Sequence, residues 1–270
     1  MIDVHCHIIP NIDDGSKGEE QSLNQLLAMD SGGISHAFLT SHFFRGHYDY
    51  SREEYDTKLS ALQEKLQEAG AKIKLLPGFE VYLQPNSLED IQKLNLCMGD
   101  SNYVLIESDL NGLPEDFYNN IFPLLRAGYK PILAHAERYV SIMKSISSAK
   151  KLVERNMYIQ VNSGSLMGQY GTKVQDTAWR LVKYGLAHML GSDDHVRGSY
   201  RSYFDALEVI EERIDAHTAH LLSECHPRKV LENKPIPYRY VYVDMPSHVS
   251  GYSRPRTRKK KSLLRKLLRA

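Results

Sequence analysis

The chain has 270 residues, 42% of them hydrophobic, which suffices for one large core and gives no reason to divide the folded part. Three cysteines without a CxxC pair exclude a disulfide framework, and no apolar run approaches the ~20 residues of a membrane span, so a soluble protein with reduced thiols in a cytoplasmic setting is expected, with no secretory signal before its first strand. The net charge of +1 hides an asymmetry: residues 254–270, RPRTRKKKSLLRKLLRA, hold nine Lys or Arg and no acid, and removing those nine charges leaves −8 on the preceding 253 residues.

The opening residues 2–7, IDVHCH, read as a short buried strand running into a loop that carries Asp13 and Asp14. Strand alternation puts His5 and His7 on one face and Ile2, Val4 and Cys6 on the other, and two imidazoles side by side at a strand end suit a metal ion. Ser16 to Glu19 reads as a capping box for a helix whose apolar face is Leu23, Leu26 and Leu27. A strand over 36–40 ends at Ser41-His42, and a helix with Tyr55, Leu59, Leu62 and Leu66 at helical spacing runs to Gly70. A third strand over 72–76 leads through Pro77-Gly78 to Phe79-Glu80-Val81, and a fourth over 103–107 ends in Glu107.

Next comes a helix from about Pro114 with Phe117, Ile121 and Leu124 inward, in which Pro123 suggests a kink or a late start. The fifth strand, 131–134, ends at His135-Ala-Glu137-Arg138, and the sixth, 158–161, at Asn162-Ser163-Gly164. After a helix with Ala178, Leu181 and Val182, the seventh strand, 187–190, ends at Ser192-Asp193-Asp194-His195, and a helix with Leu207, Ile210 and Ile214 follows.

Seven strand–helix units predict a parallel barrel, in which the loops after the strands gather at one rim and build the site. His5, His7, Asp14, His42, Glu80, Glu107, His135, Asp193 and His195 all fall at or just beyond strand ends. So many carboxylates and imidazoles at one rim call for cations, because clustered carboxylates repel and cannot all ionise cheaply. This donor set suits Mn²⁺, Zn²⁺ or Fe²⁺. Asp13 is an alternative to Asp14. Arg138, and Arg201 or Arg197, stand beside these residues as forks for phosphoryl oxygens. His36, His47, His188, His217, His220, His226 and His248 read as ordinary structural or surface histidines. A cysteine phosphatase needs Arg six positions after its Cys, whereas Ile12, Tyr103 and Leu231 follow Cys6, Cys97 and Cys225 at that spacing, and no GxSxG elbow or phosphate-cradling glycine loop is present.

The ordered segments DVHCHIIPNIDDGS, TSH, GFEVY, LIES, AHAERY, VNSGS and SDDH resemble the polymerase and histidinol phosphatase (PHP) superfamily over about residues 1–232, and most of all its bacterial manganese-dependent protein-tyrosine phosphatases of capsular and exopolysaccharide synthesis. The resemblance implies an α/β fold, a distorted TIM-like (β/α)₇ barrel, spanning residues 1–245, with 246–270 as a basic flexible tail. It implies a three-metal cluster, Mn first with Fe or Zn as substitutes, held by the nine residues named above, and no organic cofactor. It implies direct attack of metal-bound hydroxide on phosphotyrosine, with Arg138 and Arg201 as catalytic phosphate ligands; the loop after His195 departs from the family length, which leaves Arg197 as the other choice.

The implied partner is a phosphotyrosine protein, a membrane-associated bacterial tyrosine kinase, and the acidic body speaks against nucleic acid. Leu263, Leu264, Leu267 and Leu268 among cations give the tail a pattern for peripheral contact with an anionic membrane, against the plainer reading of a solubilising tail. Two other readings of function compete: a small-molecule phosphoesterase such as a histidinol phosphatase, and a non-catalytic metal-stabilised module that binds a kinase.

Overall fold

The computed structural model describes residues 1–238 apart from Asp49, Gly112, Pro114 and Glu115, so the expected boundary at 245, the start of a helix near Pro114 and the basic tail lie outside the described residues. Seven strands, β1 (Ile2–Cys6), β2 (His36–Phe43), β3 (Lys74–Tyr82), β4 (Tyr103–Glu107), β5 (Lys130–Leu133), β6 (Tyr158–Asn162) and β7 (Met189–Gly191), pair in parallel in the order of the chain. The last returns to the first through a lone bridge, Cys6 to Asp194, with His7 N donating to Asp194 O at 2.8 Å and Asp193 N to His5 O at 2.7 Å, so the sheet nearly closes into a barrel.

Around it run helices α1 (Glu19–Ser31), α2 (Arg52–Glu68), α3 (Ser87–Leu94), α4 (Phe117–Arg126), α5 (Val140–Lys144), α6 (Ser147–Val153), α7 (Ser163–Leu166), α8 (Thr172–Lys183), α9 (Arg201–Arg213), α10 (Ala216–His220) and α11 (His226–Leu231). The expected distorted (β/α)₇ barrel is the observed fold. None of the described helices is long and apolar enough to cross a membrane.

Strands buried on both faces explain the near-continuous apolar runs such as Tyr-Val-Leu-Ile of β4. Alternate residues fill the barrel, with Val4, Phe38, Leu105, Ile132, Tyr158 and Met189 in one cluster. Their neighbours Leu39, Val104, Leu133, Ile159 and Leu190 pack outward with helix residues such as Leu26, Leu62, Leu124, Leu181 and Ile210.

In β1 the simple alternation breaks. Asp3 pairs with Ala37 but Cys6 with Leu39, one residue too many on β1. This bulge reverses the faces. Ile2 and Val4 lie in the interior cluster, Cys6 in the outer one, and His5 and His7 turn inward above Val4 instead of opposite to it.

Other local expectations also shift. Ser16 does not cap α1; the N-cap is Gly18, and the Ser16 hydroxyl donates to Gly18 O instead. Strand β3 does not stop before Pro77 but runs through it to Tyr82. Proline lacks only its own donor, and the Pro77 carbonyl still accepts from Gly99 N at 2.8 Å. Gly78 eases the packing there, since a Cβ would sit 3.1 Å from Thr40 Cγ2 on the adjacent strand. Helices α3 and α7, too short for a clear apolar period, had no counterpart in the pattern.

Candidate metal centre

All nine expected residues converge at the C-terminal ends of the strands. His5, His7, Glu80 and Asp193 form one buried group, His7, Asp14, His42 and His195 a second, and His42, Glu80 and Glu107 a third, the donor atoms of each lying within 4.8 Å of one another. Glu80 Oε2 lies 3.2 Å from His5 Nε2, 3.3 Å from His7 Nε2 and 3.2 Å from His42 Nδ1. Asp14 Oδ1 lies 3.4 Å from His42 Nε2 and 3.1 Å from His195 Nε2. His135 joins through Nε2, 2.7 Å from Glu80 Oε1 and 3.8 Å from Glu107 Oε2. His7, His42 and Glu80 each belong to two groups, so the groups adjoin.

The backbone is bent to achieve this. His135 and Asp193 take left-handed conformations, φ +34° and +53°, and so does the β-branched Val196 at +56°. Such conformations cost roughly 1–3 kcal/mol each and cluster where a site demands them. For His135 the left-handed turn lets it follow the interior residue Ala134 and still point in. Two glycines are sterically required: a Cβ at Gly191 would collide with Gln160 and His5, and one at Gly15 with the His7 backbone.

A layer of partners behind the imidazoles sets their tautomers; of these, the sequence pointed to Asp13 only as an alternative donor and to Asn162 only as a strand end. Gln160 Oε1 accepts from His5 Nδ1 at 3.0 Å and from His135 N at 2.9 Å. Its Nε2 donates to Asn162 Oδ1, whose amide donates in turn to Asp193 Oδ2 at 2.6 Å. His7 Nδ1 faces Asp13 Oδ2 at 3.0 Å, and Asp13 also accepts from Gly15 N and His42 N. Asp13 therefore backs His7, while Asp14 faces His42 and His195. Asp3 ties β1 to the loop after β7 by accepting from His5 N, Ser192 and Tyr200. The signal for Asp3 and Gln160 was a polar residue inside an otherwise apolar strand, and for Asn162 a polar residue at the end of one.

The charge balance fits a cation. Burial raises the carboxyl of Glu80, but His5, His135 and His42 outweigh it and hold the group well below its usual range; Asp193 is lowered in the same way by His5 and His7. Burial and His7 oppose protonation of His42, yet Asp14, Glu107 and Glu80 lift it to about 10. Protons on the imidazoles thus neutralise the carboxylates when no metal does. Four buried atoms here, Asp14 Oδ1, His42 Nδ1, Glu80 Oε2 and His135 Nδ1, make no well-aligned hydrogen bond, and the first three are met only by ion-pair contacts of 3.1–3.4 Å. Buried polar atoms are rarely left so, and a bound ion is one standard reason. Imidazole and carboxylate donors with orphaned atoms between them fit divalent metals of the Mn, Fe and Zn type.

Of the arginines, Arg138 reaches the site, its Nη1 lying 3.3 Å from Asp193 Oδ2. Arg201 does not: it starts α9 and its Nε donates to Asp205 one turn on, at 3.0 Å. Arg197 does instead, Nη2 lying 2.9 Å from Asp14 Oδ2. The helix start draws Arg201 into an i, i+4 pair, whereas the left-handed Val196 swings Arg197 toward the rim.

A parallel barrel whose strand ends carry interlocking imidazole–carboxylate groups defines a metal-dependent hydrolase architecture. The capsular polysaccharide synthesis CpsB/CapC family model matches residues 1–232. Tyrosine-protein phosphatase YwqE of Bacillus subtilis is 30% identical over 226 residues, covering 83% of this chain and 89% of that protein. Tyrosine-protein phosphatase CpsB of Streptococcus pneumoniae is 26% identical over 238 residues, covering 86% and 98%. The solved structure of these two proteins, described as unique metal-dependent tyrosine phosphatases, superposes with a TM-score of 0.80 at 29% identity, covering 87% of this chain and 96% of the matched one. The chain belongs to the CpsB/CapC family.

Proposed function

We propose that this chain is a metal-dependent protein-tyrosine phosphatase, that His5, His7, Asp14, His42, Glu80, Glu107, His135, Asp193 and His195 hold a cluster of divalent cations, Mn²⁺ foremost, and that Arg138 and Arg197 bind the phosphoryl group. The observation that carries the reading is the convergence of eight donors from across the chain into three adjoining groups, with His135 joined to them through Glu80 and Glu107. Cations held there supply Lewis acidity toward phosphoryl oxygens and bring a water pKa towards neutrality.

The protein's own part is positioning. Gln160 and Asp13 occupy the Nδ1 atoms of His5 and His7, so both present Nε2 inward. Arg138 and Arg197 bring fork donors to the same rim, suited to two non-bridging oxygens. A phenolate leaving group, with a pKa near ~10, departs without the strong general acid an alkoxide requires. The family's connection with capsular polysaccharide synthesis supports a tyrosine kinase of that machinery as the phosphoprotein substrate.

The test is turnover of a phosphotyrosine peptide by purified protein alongside metal analysis. Mn²⁺ is expected to support hydrolysis, a chelator to stop it and His135→Ala to abolish it. Undiminished turnover after metal removal overturns the reading, and faster cleavage of histidinol phosphate than of the peptide moves it to a small-molecule phosphoesterase.

A further inference from the structure

Beside the donor groups lies an aromatic surface that the reaction as described leaves unused. The turn between α7 and α8 carries Tyr170, whose ring packs on the Arg138 guanidinium with 4.8 Å from Cζ to the ring centroid. Arg138 in turn meets Asp193, so this ring stands one side chain away from the donors. The turn is well held. Gly168 and Gly171 adopt φ of +84° and +90°, Gln169 N donates to Gly164 O, and Gln175 and Trp179 both donate to Leu166 O.

Despite this anchoring Tyr170 is 42% exposed. Of the four large apolar side chains exposed among the described residues, two, Met167 and Tyr170, sit on this one turn. A cavity of about 340 Å³ opens next to it, lined by Tyr170, Asp193, His195, Arg197 and Tyr200 among others. Tyr48, another tyrosine at the rim, already stacks on the His42 imidazole with centroids 5.3 Å apart, and it does not line the cavity.

In an aryl phosphate the ring follows phosphorus by a single bridging oxygen. A phosphoryl group held between Arg138, which packs on Tyr170, and Arg197 therefore carries its ring toward the space that Tyr170 and Arg197 border. Resting on the phosphatase reading, we propose that Tyr170 is a specificity-determining residue: it offers a stacking face to the phenyl ring of phosphotyrosine and makes the site select aryl over alkyl phosphate esters. Offset stacking on a rigid, half-exposed ring is a modest but directional attraction, and Arg138 on one face leaves the rest of the ring available.

Binding of two non-hydrolysable probes tests this without relying on turnover. Benzylphosphonate and ethylphosphonate, in which a methylene stands for the bridging oxygen, are titrated calorimetrically into the full-length Mn²⁺-loaded protein. The unaltered protein is expected to prefer the benzyl compound. Tyr170→Ala and Tyr170→Leu are expected to shrink the ratio of the two affinities by about three- to tenfold, whereas Tyr170→Phe and Tyr48→Ala keep it. A ratio unchanged in both Tyr170→Ala and Tyr170→Leu overturns the assignment. Equal weakening of both probes also overturns it, since Tyr170 then acts only by positioning Arg138. If the unaltered protein binds neither phosphonate, it is the phosphatase reading itself that falls, and a failure of the Tyr170 assignment alone stays distinguishable from that.

Discussion

The two ends of the barrel put the same side chain to opposite uses. At the C-terminal rim five histidines lie among carboxylates, which raise His42 to about 10 when no metal is bound. At the other end His188 is buried just ahead of β7, and burial pushes it down to about 3. There its Nδ1 accepts from Ile159 N at 3.1 Å and its Nε2 donates to Tyr238 O at 2.9 Å, a neutral imidazole bridging two backbone groups. Tyr103 and Tyr158 donate to Lys234 O and Ile236 O, so that the segment leading to Tyr238 closes this end of the barrel. One end matches polar atoms pair by pair; the other leaves four of them for a cation. A histidine's role here is decided by what the fold places within hydrogen-bond reach of it.

The sharpest way to break the contrast is at Glu80, the carboxylate shared by two donor groups. Glu80→Gln is expected to lower turnover of a phosphotyrosine peptide by about 10³-fold or more and to reduce the metal bound, read by kinetics and elemental analysis. Retained activity with full metal content would remove Glu80 from the site.

The pH dependence of stability of the chelator-treated protein separates the two ends by sign. His188 has a folded pKa below its unfolded one, near ~6.5, so its contribution is present above pH 6.5 and lost as pH falls towards 3, by something of the order of 4 kcal/mol over the whole window. His42 works the other way: its contribution is full below pH 6.5 and is lost as pH rises towards 10. Denaturant unfolding should show a loss on both sides of neutrality, and His188→Gln should flatten the acid side between pH 6.5 and about 4.5. An acid limb identical in the variant would show that His188 is not its source.

A smaller effect sharpens the role of the residues behind the imidazoles. Gln160→Leu keeps approximate volume but removes the acceptor shared by His5 and His135, and it should weaken metal affinity by about 10–100-fold in a competition titration while the protein stays folded. Smallest of all, Tyr103→Phe at the opposite end removes one hydrogen bond to Lys234 O and should cost about 1 kcal/mol in urea unfolding, with turnover unaltered.

Much of the fold was legible because parallel strands buried on both faces leave apolar runs of a characteristic length, as in β4 and β6, and because the chemistry of this barrel sits where those runs end. His42, Glu107 and His135 could be placed at the rim on that ground alone. Short or irregular pieces were not legible. Strand β3 continues through a proline, α3 is a helix of eight residues, and the apparent capping box at Ser16 gives way to a turn.

By itself the sequence determined the order of the strands and of most helices, the nine chemically apt residues at or just beyond strand ends and, through its ordered motifs, the likeness to a known family, since all of these are written in residue type and local pattern. Only the tertiary structure decided that a bulge turns His5 and His7 inward, that Asp14 rather than Asp13 faces the donor groups, and that Arg197 rather than Arg201 approaches them. Those outcomes depend on left-handed backbone turns and on partners more than a hundred residues away, such as Gln160 for His5, and neither leaves a mark on the local pattern.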